Sequence, residues 1–251
     1  MDARQLALGL GNPGPAYAAT RHNVGFRCVE EVARRLGLHF VTPAPEYRLA
    51  EGEGPAGPVV LLEPLTYMNR SGEALAAWAA RTGWRLGAAD AAIDEAETRV
   101  DADTDTDTDA DTDAEPSPTA PTIVPIVVCD DIQLPLGSVR IRSAGSDGGQ
   151  NGLASVLAVV GTRAVPRLRL GVGPRDAALD PAAWADYVLA PFVADEVDMA
   201  ADLVVRGADA LLDLLVEGPE RAASRHNRRV RLEAPSPSPG EEDDGNLPDG
   251  G

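Results

Sequence analysis

The stretch that most constrains this chain is Leu6 to Gly25, LALGLGNPGPAYAATRHNVG. Leu6, Ala7 and Leu8 form an apolar run that gives way to Gly9, Gly11, Asn12, Pro13 and Gly14, and His22 and Asn23 follow eight residues after the last of these glycines. An apolar run closed by glycines reads as a buried strand ending in a tight loop poor in side chains. Beyond the loop, Asn23 to Leu36 places Val24, Cys28, Val32 and Leu36 four residues apart with Phe26, Val29 and Ala33 beside them. That is an amphipathic helix stopped at Gly37. A strand feeding a helix through such a loop suits an open α/β sheet, which binds ligands at the carboxyl ends of its parallel strands. Asn12 and His22 are therefore the first candidates for chemistry.

Gly9, Gly11 and Gly14 also satisfy G-x-G-x-x-G, the dinucleotide fingerprint, which needs an acidic residue at the end of the next strand. That strand is predicted at Leu38 to Thr42, LHFVT, with no carboxylate at its end. Glu30 and Glu31 fall inside the intervening helix, out of reach of a ribose. The fingerprint's own criteria thus argue against a nucleotide cofactor, although thermal stabilisation by NAD(P) would revive that reading.

With 251 residues and 44% apolar content the chain can bury a sizeable core. No apolar run reaches membrane-spanning length and no basic-then-apolar leader is present, so a cytoplasmic chain without membrane partners is expected. Cys28 and Cys129 both lie in apolar patterns and read as buried free thiols. The net charge of -18 is unevenly distributed: 18 of the 40 acids lie in Asp90–Glu115 and Glu233–Gly251, leaving 22 acids against 21 arginines elsewhere. The body is nearly neutral and the two acidic blocks read as appendages. All 22 basic residues are arginine, a bias to which no mechanism attaches.

Short strands are predicted at Glu46–Glu51 and Pro58–Glu63, and a helix start near Asn69, Ser71 and Glu73 precedes the alanine-rich 74–81. Residues 86–122 hold DADTDTDTDADTDAEPSPTAP, with spaced like charges and nothing apolar larger than alanine, so a disordered insertion is expected there. Ile123–Cys129 reads as a central buried strand ending in Asp130 and Asp131. Then follow a strand at Ser138–Arg142, a glycine-rich loop at 144–151, a helix at Asn151–Val160, a strand at Arg167–Val172, and helices at 193–216 and 219–227. The tail from 233 is rich in Pro, Ser, Gly and acid, and disorder is expected there too. The fold class is α/β: one domain over 1–232 with a mixed, mainly parallel sheet flanked by helices, interrupted by the insertion and followed by the 233–251 tail.

Three histidines narrow the chemistry. His22 alone sits among polar residues at a loop mouth, and Asp130 would come from the end of another strand at the same sheet edge; a carboxylate there fixes the imidazole tautomer and stabilises its charged form. The competing reading makes Asp130 and Asp131 turn caps. No serine lies in a nucleophile elbow, Cys129 belongs to a strand, and no H-x-x-x-H or C-x-x-C occurs, so neither covalent nor metal catalysis is expected. Water activated by a His-Asp pair remains. Asn12, Asn69 and Asn151 each lie at a loop mouth, either as caps or as amides that bind a peptide-like backbone. Arg140 with Arg142, and Arg167 with Arg169, share strand faces, either solubilising an edge or forming a phosphate track.

The segments GLGNPGPAYAATRHNVGF (9–26), LTYMNRSGEA (65–74), VVCDDIQLPLGSVRIR (127–142), GGQNGLASV (148–156) and RLRLGVG (167–173) together resemble the bacterial-type peptidyl-tRNA hydrolase family. The resemblance implies a cytoplasmic monomer that needs no cofactor or metal and cleaves the ester joining a peptide to the 3′ ribose of its tRNA. It implies His22 as general base and Asp130 as its orienting partner. Asn12, Asn69 and Asn151 would position the peptidyl group and water, Met68 would line the pocket, and Tyr17 would contact the tRNA 3′ end. Arg142 and Arg169 would hold the 5′ phosphate region. Gln150 stands where many relatives have histidine, and Asp147 adds negative charge near the expected RNA path. An RNA-binding module without activity is the second hypothesis; salt-dependent tRNA binding without turnover would mark it.

Overall fold

The computed structural model describes residues 4–87, 120–175 and 179–227. The expected disorder of the acidic insertion falls mostly on 88–119, outside the described residues, and the 233–251 tail lies outside them too.

In chain order the elements are β1 (Gln5–Gly9), a 3-10 turn (Arg21–Asn23), α1 (Val24–Leu36), β2 (Val41–Ala44), β3 (Tyr47–Gly54), β4 (Gly57–Pro64), a second 3-10 turn (Met68–Arg70) and α2 (Ser71–Thr82). Then come β5 (Arg85–Leu86), β6 (Thr122–Ile123), β7 (Ile126–Pro135), β8 (Val139–Arg142), α3 (Asn151–Val160) and β9 (Arg167–Gly173). A third 3-10 turn (Pro181–Ala183) leads into α4 (Trp184–Leu189), α5 (Val197–Glu217) and α6 (Pro219–His226). Seven strands form one sheet in the order β2-β3-β4-β1-β7-β9-β8. The central β4, β1, β7 and β9 run parallel, and β2–β3, β3–β4 and β8–β9 pair antiparallel. This is the expected mixed, mainly parallel sheet.

The sheet is buried on both faces, which is why its central strands read as continuous apolar runs. Ala7, Leu61, Val128 and Leu168 pack against α1 and α5. Leu8, Leu62, Val127 and Cys129 pack against α2 and α3, whose Trp78 is wholly buried. Both cysteines are buried and free. The exposed backbone edge of β8 is closed by a side chain: Asn227 Oδ1 accepts from Ile141 N at 2.7 Å and its Nδ2 donates to Ile141 O at 3.0 Å. The carboxamide stands in for a further strand on an edge that would otherwise invite pairing.

Several boundaries differ from the sequence reading. Leu38 closes the C-terminal cap of α1, its N–H bonded to Ala33 O at 2.9 Å, and β2 starts only at Val41. Pro125 has no N–H to donate, and the strand expected at Ile123–Cys129 is split there into β6 and β7. β7 does not stop at Cys129: Asp130 and Asp131 continue it opposite Leu170 and Gly171 of β9. The ends of the expected insertion are ordered, because Arg85–Leu86 pairs in parallel with Thr122–Ile123. The 3-10 turn and α4 at 181–189 were not foreseen.

One buried charge lies apart from the sheet edge. Glu63 on β4 is fully buried, with Arg48 of β3 bonded to it and reaching Glu30 of α1 at 2.5 Å. Burial pushes the Glu63 carboxyl up to about 8 against the pull of Arg48. A carboxyl that holds its proton more tightly folded than unfolded stabilises fully below its unfolded pKa, and that contribution is lost as pH rises through the folded value. Stability should therefore fall between about pH 5 and pH 8. In Glu63→Gln this decline should shrink by on the order of 3 to 4 kcal/mol, read from urea midpoints across that range; an unchanged slope would contradict the assignment.

Candidate active site

The strand order reverses its connections at β1. From β1 the chain passes to α1 on one face, and from β4 it passes to α2 on the other. Such a switch opens a crevice beyond the carboxyl ends of the parallel strands. Here it is a cleft of about 480 Å³ whose walls include Asn12, His22, Met68, Asn69, Asp130 and Asn151.

Glycine at the β1–α1 junction brings the helix down onto the strand ends. A Cβ on Gly25 would lie 2.5 Å from Leu10 O and 2.6 Å from Val128 O, and one on Gly9 would lie 2.7 Å from Val29 Cγ2. No side chain fits either contact, so these glycines serve close packing. Nor is the loop a dinucleotide turn, because the strand that follows α1 is β2, which pairs with β3 at the sheet edge and is not a neighbour of β1.

Because β1 and β7 are adjacent, with Gly9 opposite Val128, the turn carrying His22 hangs over the β7 segment that carries Asp130. His22 Nδ1 lies 2.9 Å from Asp130 Oδ1, with the side chains 14% and 4% exposed. The contact is short but the ring N–H is out of line for a hydrogen bond. Such misalignment is common in unliganded sites and tightens when substrate binds. Gln150 Nε2 donates to the same Asp130 oxygen at 2.9 Å. Asp131 takes the capping role: its Oδ1 accepts from Gln133 N at 2.9 Å. Its Oδ2 pairs with Arg169 at 2.5 Å, and burial raises its carboxyl pKa.

The three asparagines are not helix caps. Asn12 Oδ1 accepts from Met68 N at 2.9 Å, while Asn23 brackets the Asn12 backbone with two bonds of 2.9 Å. The first two loops are thereby tied together, and the Asn12 amide Nδ2 is left for the cleft. Asn69 and Asn151 are exposed on the cleft wall, and α3 is capped by the preceding Gln150, whose Oε1 accepts from Leu153 N at 2.9 Å. Met68 is buried in the wall. Tyr17 is not brought to the cleft lining; it lies half-buried in the turn at 14–20.

A second cavity, of about 340 Å³, adjoins the first and is lined by Arg142, Arg167, Arg169 and the 144–148 loop. Arg142 and Arg167 face each other across β8 and β9, as do Arg140 and Arg169. Arg167 is buried, bonded to Gly145 O at 2.8 Å and Ser146 O at 2.7 Å, so it braces the glycine-rich loop and is not part of a free phosphate track. Arg169 lines both cavities and Arg142 is exposed beside it.

Two features were missed in the sequence. Trp184, Val188 and Leu189 of α4 form an apolar wall of the cleft. The signal was Asp180-Pro181: Asp180 Oδ1 caps Ala182 N at 2.9 Å and proline takes the first turn. Arg21, next to His22, is buried under this wall, bonded to Pro191 O at 2.7 Å and to Glu196, with its guanidinium 4.2 Å from the Tyr187 ring centre. Nothing local in the sequence marks it. Among the described residues no group of three or more His, Cys, Asp or Glu could hold a metal ion, and no helix is long and apolar enough to cross a membrane.

The family model described as Peptidyl-tRNA hydrolase matches residues 6–99 and 120–234. The peptidyl-tRNA hydrolase of Chloroflexus aurantiacus is 39% identical over 222 residues, covering 88% of this chain and 98% of that protein. That of Chlorobaculum tepidum is 34% identical over 226 residues, covering 90% and 99%. Among solved structures, peptidyl-tRNA hydrolase from Acinetobacter baumannii aligns with a TM-score of 0.65 at 26% identity, over 90% of this chain and 96% of that one. A complex of peptidyl-tRNA hydrolase with N-propanol gives 0.67 at 25% identity, over 92% and 98%. Matched along most of its length, and sharing more than 30% identity with relatives that it covers almost completely, the chain belongs to the peptidyl-tRNA hydrolase family.

Proposed function

We propose that the cleft hydrolyses the ester between peptide and tRNA with His22 as general base, Asp130 as its partner and no metal. The observation that carries this reading is the 2.9 Å approach of His22 Nδ1 to Asp130 Oδ1 at the mouth of the cleft. A carboxylate at Nδ1 favours the tautomer whose proton sits there, leaving Nε2 free to accept one. Water in the cleft would attack the ester carbonyl as its proton passes to Nε2. The protonated ring, stabilised by Asp130, would return that proton to the departing 3′ oxygen of the ribose. The Asn12 amide, with Asn69 and Asn151, would hold the peptidyl carbonyl and the water, and Met68 would line the acyl side. These amides suit a substrate whose backbone both donates and accepts.

The two arginines suit the other half of the substrate. Arg142 and Arg169 open onto a cavity beside the cleft, where they would hold the 5′ phosphate region once the acceptor end is seated. A cytoplasmic monomer belongs to the same reading.

His22→Ala should lower kcat on a defined peptidyl-tRNA by about 10²- to 10⁴-fold with an unchanged melting temperature; retained turnover would refute the base. Wild-type turnover should be unaffected by chelator. Arg142→Ala should raise KM with kcat nearly unchanged and flatten the dependence of log KM on log salt by about one charge. A variant with the wild-type salt slope would exclude Arg142 from phosphate binding.

A further inference from the structure

Gln150 links the glycine-rich loop to Asp130. It ends the glycine-rich loop and is the N-cap of α3. Its Oε1 accepts from Leu153 N at 2.9 Å, while its Nε2 donates to Asp130 Oδ1 at 2.9 Å. Only one orientation of the amide satisfies both, because a backbone N–H can only donate and a carboxylate can only accept. The side chain is therefore fixed at both ends. The oxygen it holds is also the one 2.9 Å from His22 Nδ1.

We propose that Gln150 is a positioning residue for hydrolysis: its carboxamide pins Asp130 Oδ1 in the orientation that faces His22, tying the base to the start of α3. Free rotation of the Asp130 carboxyl would otherwise swing that oxygen away, since the ring contact itself is poorly aligned. A neutral donor has a second consequence. It holds the carboxylate without adding a charge that would compete with the imidazole proton. The other ionisable groups lining the cleft are Tyr67, Cys129, Asp131 with its partner Arg169, and Asp147. Asp147 is turned to its own loop, its Oδ2 accepting from Gly149 N at 2.8 Å. Gln150 is thus the contact of Asp130 whose exchange for an acid tests the clamp at near-constant shape.

This inference rests on the His22–Asp130 reading, and the experiment separates the two. The pH profile of kcat/KM on a defined peptidyl-tRNA is measured for the wild type, Gln150→Glu, Gln150→Met and His22→Ala, with melting temperatures for each. Gln150→Glu keeps an oxygen for Leu153 N, so the cap of α3 survives and any fall in melting temperature should vanish at low pH, where the added carboxyl is protonated. A like charge beside Asp130 should nevertheless lower kcat/KM at pH 7 about tenfold and move the acid limb up by about one pH unit. Gln150→Met, of similar length but without a donor, should lose kcat about tenfold while KM stays within about twofold, and it serves if the glutamate variant does not fold. A merely structural cap would lower the melting temperature and leave the acid limb and kcat in place, which would overturn the proposal. If His22→Ala is inactive and both Gln150 variants keep wild-type kcat and midpoint, the clamp alone is wrong. If His22→Ala turns over normally, the base assignment and the clamp fall together.

Discussion

The parallel pairing of β1 with β7 is the constraint from which the rest of the site follows. Gly9 lies opposite Val128, and Leu10 N continues the ladder to Val128 O at 2.8 Å. Two strands separated by more than a hundred residues therefore end side by side. What comes next off β1 is the turn bearing His22, and what comes next along β7 is Asp130. The glycines at 9 and 25 let α1 sit directly on these strand ends, so the turn has little room to be anywhere else. A slip of one residue in that pairing would turn Asp130 to the opposite face of the sheet.

Around this pair most polar side chains have partners, although His22 Nδ1 and the neighbouring Arg21 Nε make no hydrogen bond. Asp131, next in the strand, points to the other face and is held by Arg169 and the Gln133 amide. Asn12 is bound to the Met68 amide and to both polar groups of Asn23. Arg167 braces the loop that delivers Gln150, and Arg21 anchors the turn that delivers His22 to the segment after α4. The cleft is thus rigid on the sheet side. Its apolar α4 wall is different, a short helix with no fully buried residue of its own.

Much of this arrangement can be read from the residues. The four-residue spacing of Val24, Cys28, Val32 and Leu36 marks α1, and the apolar run before Asp130 marks β7, although that strand continues past Asp130 to Pro135. The meeting of His22 with Asp130 then needs only adjacency of two parallel strands. Other parts were illegible for identifiable reasons. Four arginines in alternate strand positions look alike in sequence, yet Arg167 turns inward to carbonyls of a loop that sequence cannot place, while Arg142 stays exposed. Leu38 reads as strand because it is apolar and flanked by His and Phe, but helix α1 claims its N–H. Six residues of α4 are too few for a periodic signal, so only its Asp-Pro start could have revealed it. Tyr17 lies half-buried in the turn at 14–20, outside the cleft lining, a placement that its position in the motif does not reveal.

The central claim is that a carboxylate held beside His22 makes it an effective base. It is tested most directly by single-turnover cleavage of a defined peptidyl-tRNA by Asp130→Asn, which preserves size and burial while removing the charge. The account predicts a rate lower by about 10²- to 10⁴-fold with tRNA affinity and melting temperature close to wild type. Cleavage at the wild-type rate would contradict it.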